Sequence, residues 1–221
     1  MREARREYGS ARYYYERALH EATAHGAADA AARSLHDLLS EAINARQPRR
    51  ADRLAPLVFA AYAELQHENM YRFAHDLARF WLTEGCFAAA LPIFEAVADR
   101  FSEDERPYVW GNIAEAAGAV GNRELVERVS ISILSAPDAT FFARGLTGLA
   151  AAWEALGEHD SAAALARRAW EEAARRGDVY AMEDARIARQ RARRPTAAQL
   201  ATRSALANEL VAYSRDRRRA A

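Results

Sequence analysis

A handful of side chains in this sequence could do chemistry, and their spacing decides what kind. His20 and Glu21 with His25 resemble the helix of a zinc hydrolase, but its ligating histidines stand four apart. Five apart, they point about 140° away from each other around a helix, so no metal site is expected. Cys86 is the single cysteine. It follows a glycine at an expected helix start, where the helix dipole could lower a thiol pKa. No histidine lies near it in sequence to act as a base, so a small residue packed at a tight turn is the favoured reading. Carboxylate pairs occur at Glu103-Asp104-Glu105, Glu171-Glu172 and Glu183-Asp184. Acid–base work of the glycosidase kind needs two carboxyls across a closed pocket, whereas these sit at expected turns and polar faces. No catalytic residue, metal ligand or cofactor is expected.

The basic residues narrow the choice further. All 31 are arginine, which removes the phosphate-binding loop ending in Gly-Lys-Ser/Thr, the Schiff-base lysine and the Ser-x-x-Lys nucleophile. They balance 31 acidic residues, so the whole molecule has no net field to steer it to nucleic acid or an anionic membrane. The balance hides a basic end. From residue 175 onward there are 12 Arg against 5 Asp plus Glu, among them Arg186, Arg189, Arg191, Arg193, Arg194, Arg215, Arg217, Arg218 and Arg219. No interleaved aromatics or nucleic-acid motif accompany them. A solvated cap or a docking surface for an acidic partner is favoured over nucleic acid.

The elements that must position any site are helices. Alanine is roughly a quarter of the 221 residues, and it loses no side-chain entropy in a helix; arginine loses little. Apolar runs such as Leu54 to Leu65 are too short to cross a membrane, and MREARREYGS lacks a signal-peptide core. A cytoplasmic protein from a GC-rich, bacterial genome is expected, with no membrane partner.

A fixed period organises the chain. Gly85, Gly121 and Gly157 stand 36 residues apart. Registered on them, Leu77, Ile113 and Leu149 form a column, followed by Ala78, Ala114 and Ala150; Trp81, Ala117 and Trp153 form another, and Val97, Ile133 and Ala169 a third. One period upstream the glycine column holds Arg49, and Pro56 shares a column with Pro92 near an expected helix start. Apolar residues recur at i, i+3 and i+4 on both sides of each glycine, so each period holds two helices of about fourteen residues. Trp81 and Trp153 are expected to be buried between paired helices. Small residues recur where helices should cross closely.

These residues resemble the tetratricopeptide repeat family. Leu146, Leu149, Ala150, Trp153, Gly157, Ala162 and Ala169 follow its pattern in segment 143–178, and Gly85, Ala90 and Phe94 follow it in 71–106. Segment 107–142 keeps Trp110, Gly121 and Ile133, and 35–70 matches by apolar pattern. The resemblance implies an all-α, right-handed α-solenoid of antiparallel helix pairs over 1–221, with an amino-terminal helix at 1–26 and basic capping helices and a tail at 179–221. It also implies a concave groove. Its lining positions fall on His36, Leu39 and Ile43, then Arg72, His75, Arg79 and Leu82, then Tyr108, Gly111, Asn112 and Glu115, then Arg144, Thr147, Ala151 and Glu154. Of these, Arg72, His75, Arg79, Tyr108, Asn112, Glu115, Arg144 and Thr147 are the candidate contacts for a protein or peptide ligand, the arginines holding carboxylates by charge-assisted hydrogen bonds. The expected function is a non-catalytic scaffold or adaptor. The alternative is an array that senses a signalling peptide and controls a separate transcriptional regulator. The partner and the oligomeric state are left open.

Overall fold

A computed structural model describes residues 2–179, 181–182 and 197–219, with side chains over 10–179, 181–182 and 201–216. Among these residues the protein is all-helical, with no strand. The helices are α1 (Arg2–Ala24), α2 (Ala28–Asn44), α3 (Pro48–Glu64), α4 (Met70–Thr83), α5 (Phe87–Val97), a 3-10 turn (Ala98–Arg100), α6 (Arg106–Ala119), α7 (Arg123–Leu134), α8 (Phe142–Ala155), α9 (His159–Arg176) and α10 (Ala197–Arg219). None is long and apolar enough to cross a membrane among the described residues.

One local device ends seven of these segments. Gly26, Arg46, Gln66, Gly85, Gly121, Gly157 and Gly177 all have positive φ. At Gly85 the N–H donates to the Leu82 carbonyl (3.0 Å) and the next N–H, of Cys86, reaches back to the Trp81 carbonyl (2.8 Å). This pair of bonds is the Schellman arrangement, which satisfies the last helical carbonyls and favours glycine because a Cβ is strained in the left-handed region. The same pair recurs at Arg46 and Gln66, where φ is 55° and 48°. The turn expected at Arg49 therefore falls at Arg46. Segment 35–70 begins inside α2 and ends on the first residue of α4, whereas 71–106, 107–142 and 143–178 each take in a helix pair to within a residue. Neither Pro56 nor Pro92 stands near a helix start as expected, since Pro56 lies in the middle of α3 and Pro92 in the middle of α5.

The chain divides into two units, Met1–Leu77 and Ala78–Ala221, and the division falls inside α4. In the first, α2 packs against α1 and α3, burying Leu38, Leu39, Ala42, Ala51, Ala55, Val58 and Tyr62, with Phe73, Ala74 and Leu77 from α4. In the second, α6 is the central element. It meets α5, α7 and α8, and nine of its residues from Pro107 to Gly118 are buried, which is why its apolar residues surround it instead of forming a stripe. Its approach to α8 runs on glycine. A Cβ on Gly118 would come within 2.6 Å of the Ala152 Cα, and one on Gly145 within 2.6 Å of the Pro107 carbonyl oxygen. α9 then covers α8.

The last helix departs from the expected capping arrangement. α10 packs back on α5, more than a hundred residues earlier, burying Arg203, Leu206, Ala207 and Leu210. Arg186 to Arg194 lie outside the described residues, and the side chains of Arg217 to Arg219 lie outside the described side chains.

Candidate functional site

The expected ligand-contacting residues fall into two groups. Arg72 and His75 belong to the first unit. Arg72 is exposed, its guanidinium 5.2 Å from the Tyr71 ring centre. His75 is buried, its Nδ1 3.4 Å from Asp76 Oδ1.

His75 joins a core network of histidines that sequence spacing does not reveal. His36 on α2 lies 3.1 Å from the Tyr62 hydroxyl through Nδ1 and 3.5 Å from Asp76 Oδ2 through Nε2. Burial works to raise the Asp76 carboxyl. Hydrogen bonds and positive charge from His36 and His75 outweigh it and hold the group well below the usual range. Burial, with Asp37 nearby, pushes the Tyr62 phenol up to about 12. His67 stacks on Tyr62, ring centres 4.4 Å apart. Its Nδ1 accepts the Asn69 backbone N–H (3.0 Å), so its ring proton sits on Nε2 and points at Asp29 Oδ1, 2.8 Å away. These groups tie α2, α3 and α4 together. Among the described residues no three His, Cys, Asp or Glu side chains are arranged to hold a metal ion.

The second unit brings Arg79, Tyr108 and Arg144 together. The Arg79 guanidinium from α4 lies 5.0 Å from the Tyr108 ring centre, and that of Arg144 from α8 lies 5.3 Å from it. Phe141 adds a second aromatic, 6.1 Å from Tyr108 and 5.3 Å from Arg144. Cation–π attraction of this kind holds a guanidinium in place without using its N–H donors. The two arginines differ in what they do with those donors. Arg144 Nε lies 3.4 Å from Asp178 Oδ2, and the other Asp178 oxygen accepts the Ala181 backbone N–H. Arg79 is half-buried and makes no hydrogen bond or ion pair among the described residues. It therefore presents a restrained cation with its donors available.

Asn112 is buried, Glu115 is half-buried, and the Thr147 hydroxyl donates to the Ala143 carbonyl of its own helix. Gly111 lies in the α6–α8 crossing, and Leu39 and Leu82 are buried. Trp81 is buried at 1% exposure as expected, but Trp153 is half-buried, one face covered by the Arg123 guanidinium at 5.4 Å. The acidic turn at 103–105 is put to backbone use, for Asp104 accepts the Thr140 N–H and Glu105 that of Ser102. Sequence reading missed Phe141 and Asp178. The only signal for Asp178 was its place after the turn glycine Gly177, one helix pair beyond Arg144.

No family model, no curated protein and no solved structure matches this chain.

Proposed function

We propose that this protein is a non-catalytic binding module, an array of tetratricopeptide-like helix pairs that holds an acidic protein or peptide segment. The observation that carries this reading is Arg79, a half-buried guanidinium held over Tyr108 and engaged with no anion among the described residues. A carboxylate arriving there meets donors whose geometry is already restrained, so little side-chain entropy is lost on binding. Arg144 is balanced by Asp178 and acts chiefly to hold the Tyr108 ring in place. The 36-residue recurrence of Gly85, Gly121 and Gly157, all with positive φ, supports the repeat assignment.

A peptide array carrying matched acidic, neutral and basic segments tests the reading. Acidic peptides should be retained selectively, and Arg79→Gln should weaken the retained peptides about tenfold or more, since a bond to a charged group is worth roughly 1.5–3 kcal/mol. Equal retention of all three classes, or unchanged affinity in Arg79→Gln, would remove it.

A further inference from the structure

Arg79 and Arg144 share one aromatic ring but differ in their electrostatic setting. Their distances to the centre of Tyr108, 5.0 and 5.3 Å, put the two guanidinium carbons no more than about 10 Å apart, within the reach of partly buried charges. An anion seated on Arg79 therefore feels whatever stands on Arg144. What stands there is Asp178, its Oδ2 3.4 Å from Arg144 Nε. This carboxylate is fixed from two sides. Its Oδ1 accepts the Ala181 N–H (2.9 Å), as an N-cap does, and its own N–H donates to the Ala173 carbonyl (2.9 Å) behind the left-handed turn at Gly177. The Asp178 and Arg144 side chains are 20% and 16% exposed, so water screens their charges weakly.

We propose, resting on the reading of Arg79 as an anion site, that Asp178 sets the charge of the group bound there, so that the site takes a single carboxylate and turns away a doubly charged phosphate ester. Two guanidiniums on one ring would suit a phosphate, which arginines hold well. Asp178 offsets one of them. Attraction to the remaining cation grows in proportion to the charge of the anion, whereas the cost of taking the anion out of water grows with the square of that charge. A carboxylate is matched by Arg79. A dianion would bring a second negative charge into a half-buried setting that already holds Asp178. Like charges juxtaposed in this way discriminate against the wrong partner. Asp178 acts through Arg144 and need not touch the ligand itself.

The Nε–Hε magnetic resonance signal of Arg79, assigned by its loss in Arg79→Gln, reports occupancy of the site directly. The probes are the N-acetyl, N′-methylamide forms of glutamate, phosphoserine and glutamine, added to the full-length chain at matched salt and about pH 7.5, where the phosphoserine carries close to two charges. Glutamate should half-saturate the signal at a concentration about threefold or more below phosphoserine, and glutamine should leave it unmoved. Asp178→Asn keeps a capping side chain. It should move the ratio of the two anions about fivefold or more towards phosphoserine, since the charge of Arg144 is then no longer offset by it. Arg144→Gln, which leaves Asp178 without that cation, should move the ratio the other way. A ratio unchanged in both variants would show that Asp178 only supports the fold, and an equal response to glutamate and phosphoserine in the wild type would show that the site does not select by charge. Either result overturns the selectivity and leaves Arg79 an anion site. No response to either anion, or an equal response to glutamine, overturns the anion site and the selectivity with it.

Discussion

Gly148 on α8 lies directly against Gly111 on α6, so near that a Cβ placed on Gly148 would overlap the Gly111 carbonyl oxygen. Two helical preferences oppose each other at this point. Glycine in a helix interior costs up to about 1 kcal/mol against alanine, so Gly148→Ala would stabilise an isolated helix. The clash is with backbone, which cannot swing aside, and overpacking of that kind costs about 1–3 kcal/mol or more. The second effect wins. Gly148→Ala and Gly118→Ala should each lower the denaturant midpoint, whereas Gly121→Ala has open space and is opposed only by its positive φ. A raised midpoint in Gly148→Ala would mean that α6 and α8 stand further apart.

The two tryptophans of the shared column should behave differently. Trp81→Ala should cost about 3–5 kcal/mol, the range for a buried large aromatic. Trp153 is half-buried under Arg123, so Trp153→Ala should cost well under half as much. Chemical denaturation of the two variants checks this, and equal losses would place Trp153 in a core position.

Acid should loosen the link between α9 and the loop after α7. Arg176 donates to the Ala139 and Pro137 carbonyls (2.6 and 2.7 Å) while held by Glu172. The hydrogen bond from Arg175, then the bond and charge of Arg176, outweigh burial and bring the Glu172 carboxyl from 4.5 to about 2. A carboxylate whose pKa is lowered on folding stabilises the protein fully above its unfolded value and loses that contribution as pH falls through the folded one. The loss should therefore fall between about pH 4.5 and 2. Near the surface, solvent screening holds it to about 1 kcal/mol. Glu172→Gln should remove this part of the acid dependence, measured as thermal midpoint against pH.

Shortening the carboxy terminus should separate the docking stripe from the residues beyond it. Removal of 214–221 leaves Arg203, Leu206, Ala207 and Leu210 in place and should change the melting temperature by no more than a few degrees. Removal from 203 onward uncovers α5 and should lower it clearly. A large drop from the shorter deletion would show that residues beyond Tyr213 dock.

Helix content, the turns at Gly85, Gly121 and Gly157, and the burial of Trp81 were legible in the residues alone. The reason is that a Schellman turn and an apolar stripe are written within a few neighbouring positions. The same search failed where the left-handed position carries Arg46 and Gln66, because a side chain there is tolerated at a cost and leaves no glycine to find. Candidate residues were legible as types but not as partners: Arg79 and Arg144 looked alike until Asp178 was placed beside one of them. An alanine-rich helix offers several equivalent faces for close approach, so which face meets which neighbour is decided by the whole assembly. Tertiary structure alone determined that α6 and α8 meet on glycine, that three histidines gather around Tyr62 and two aspartates, and that α10 turns back to bury Arg203 over Cys86. Those relationships join residues far apart in the chain, and only the summed burial of all the helices selects them.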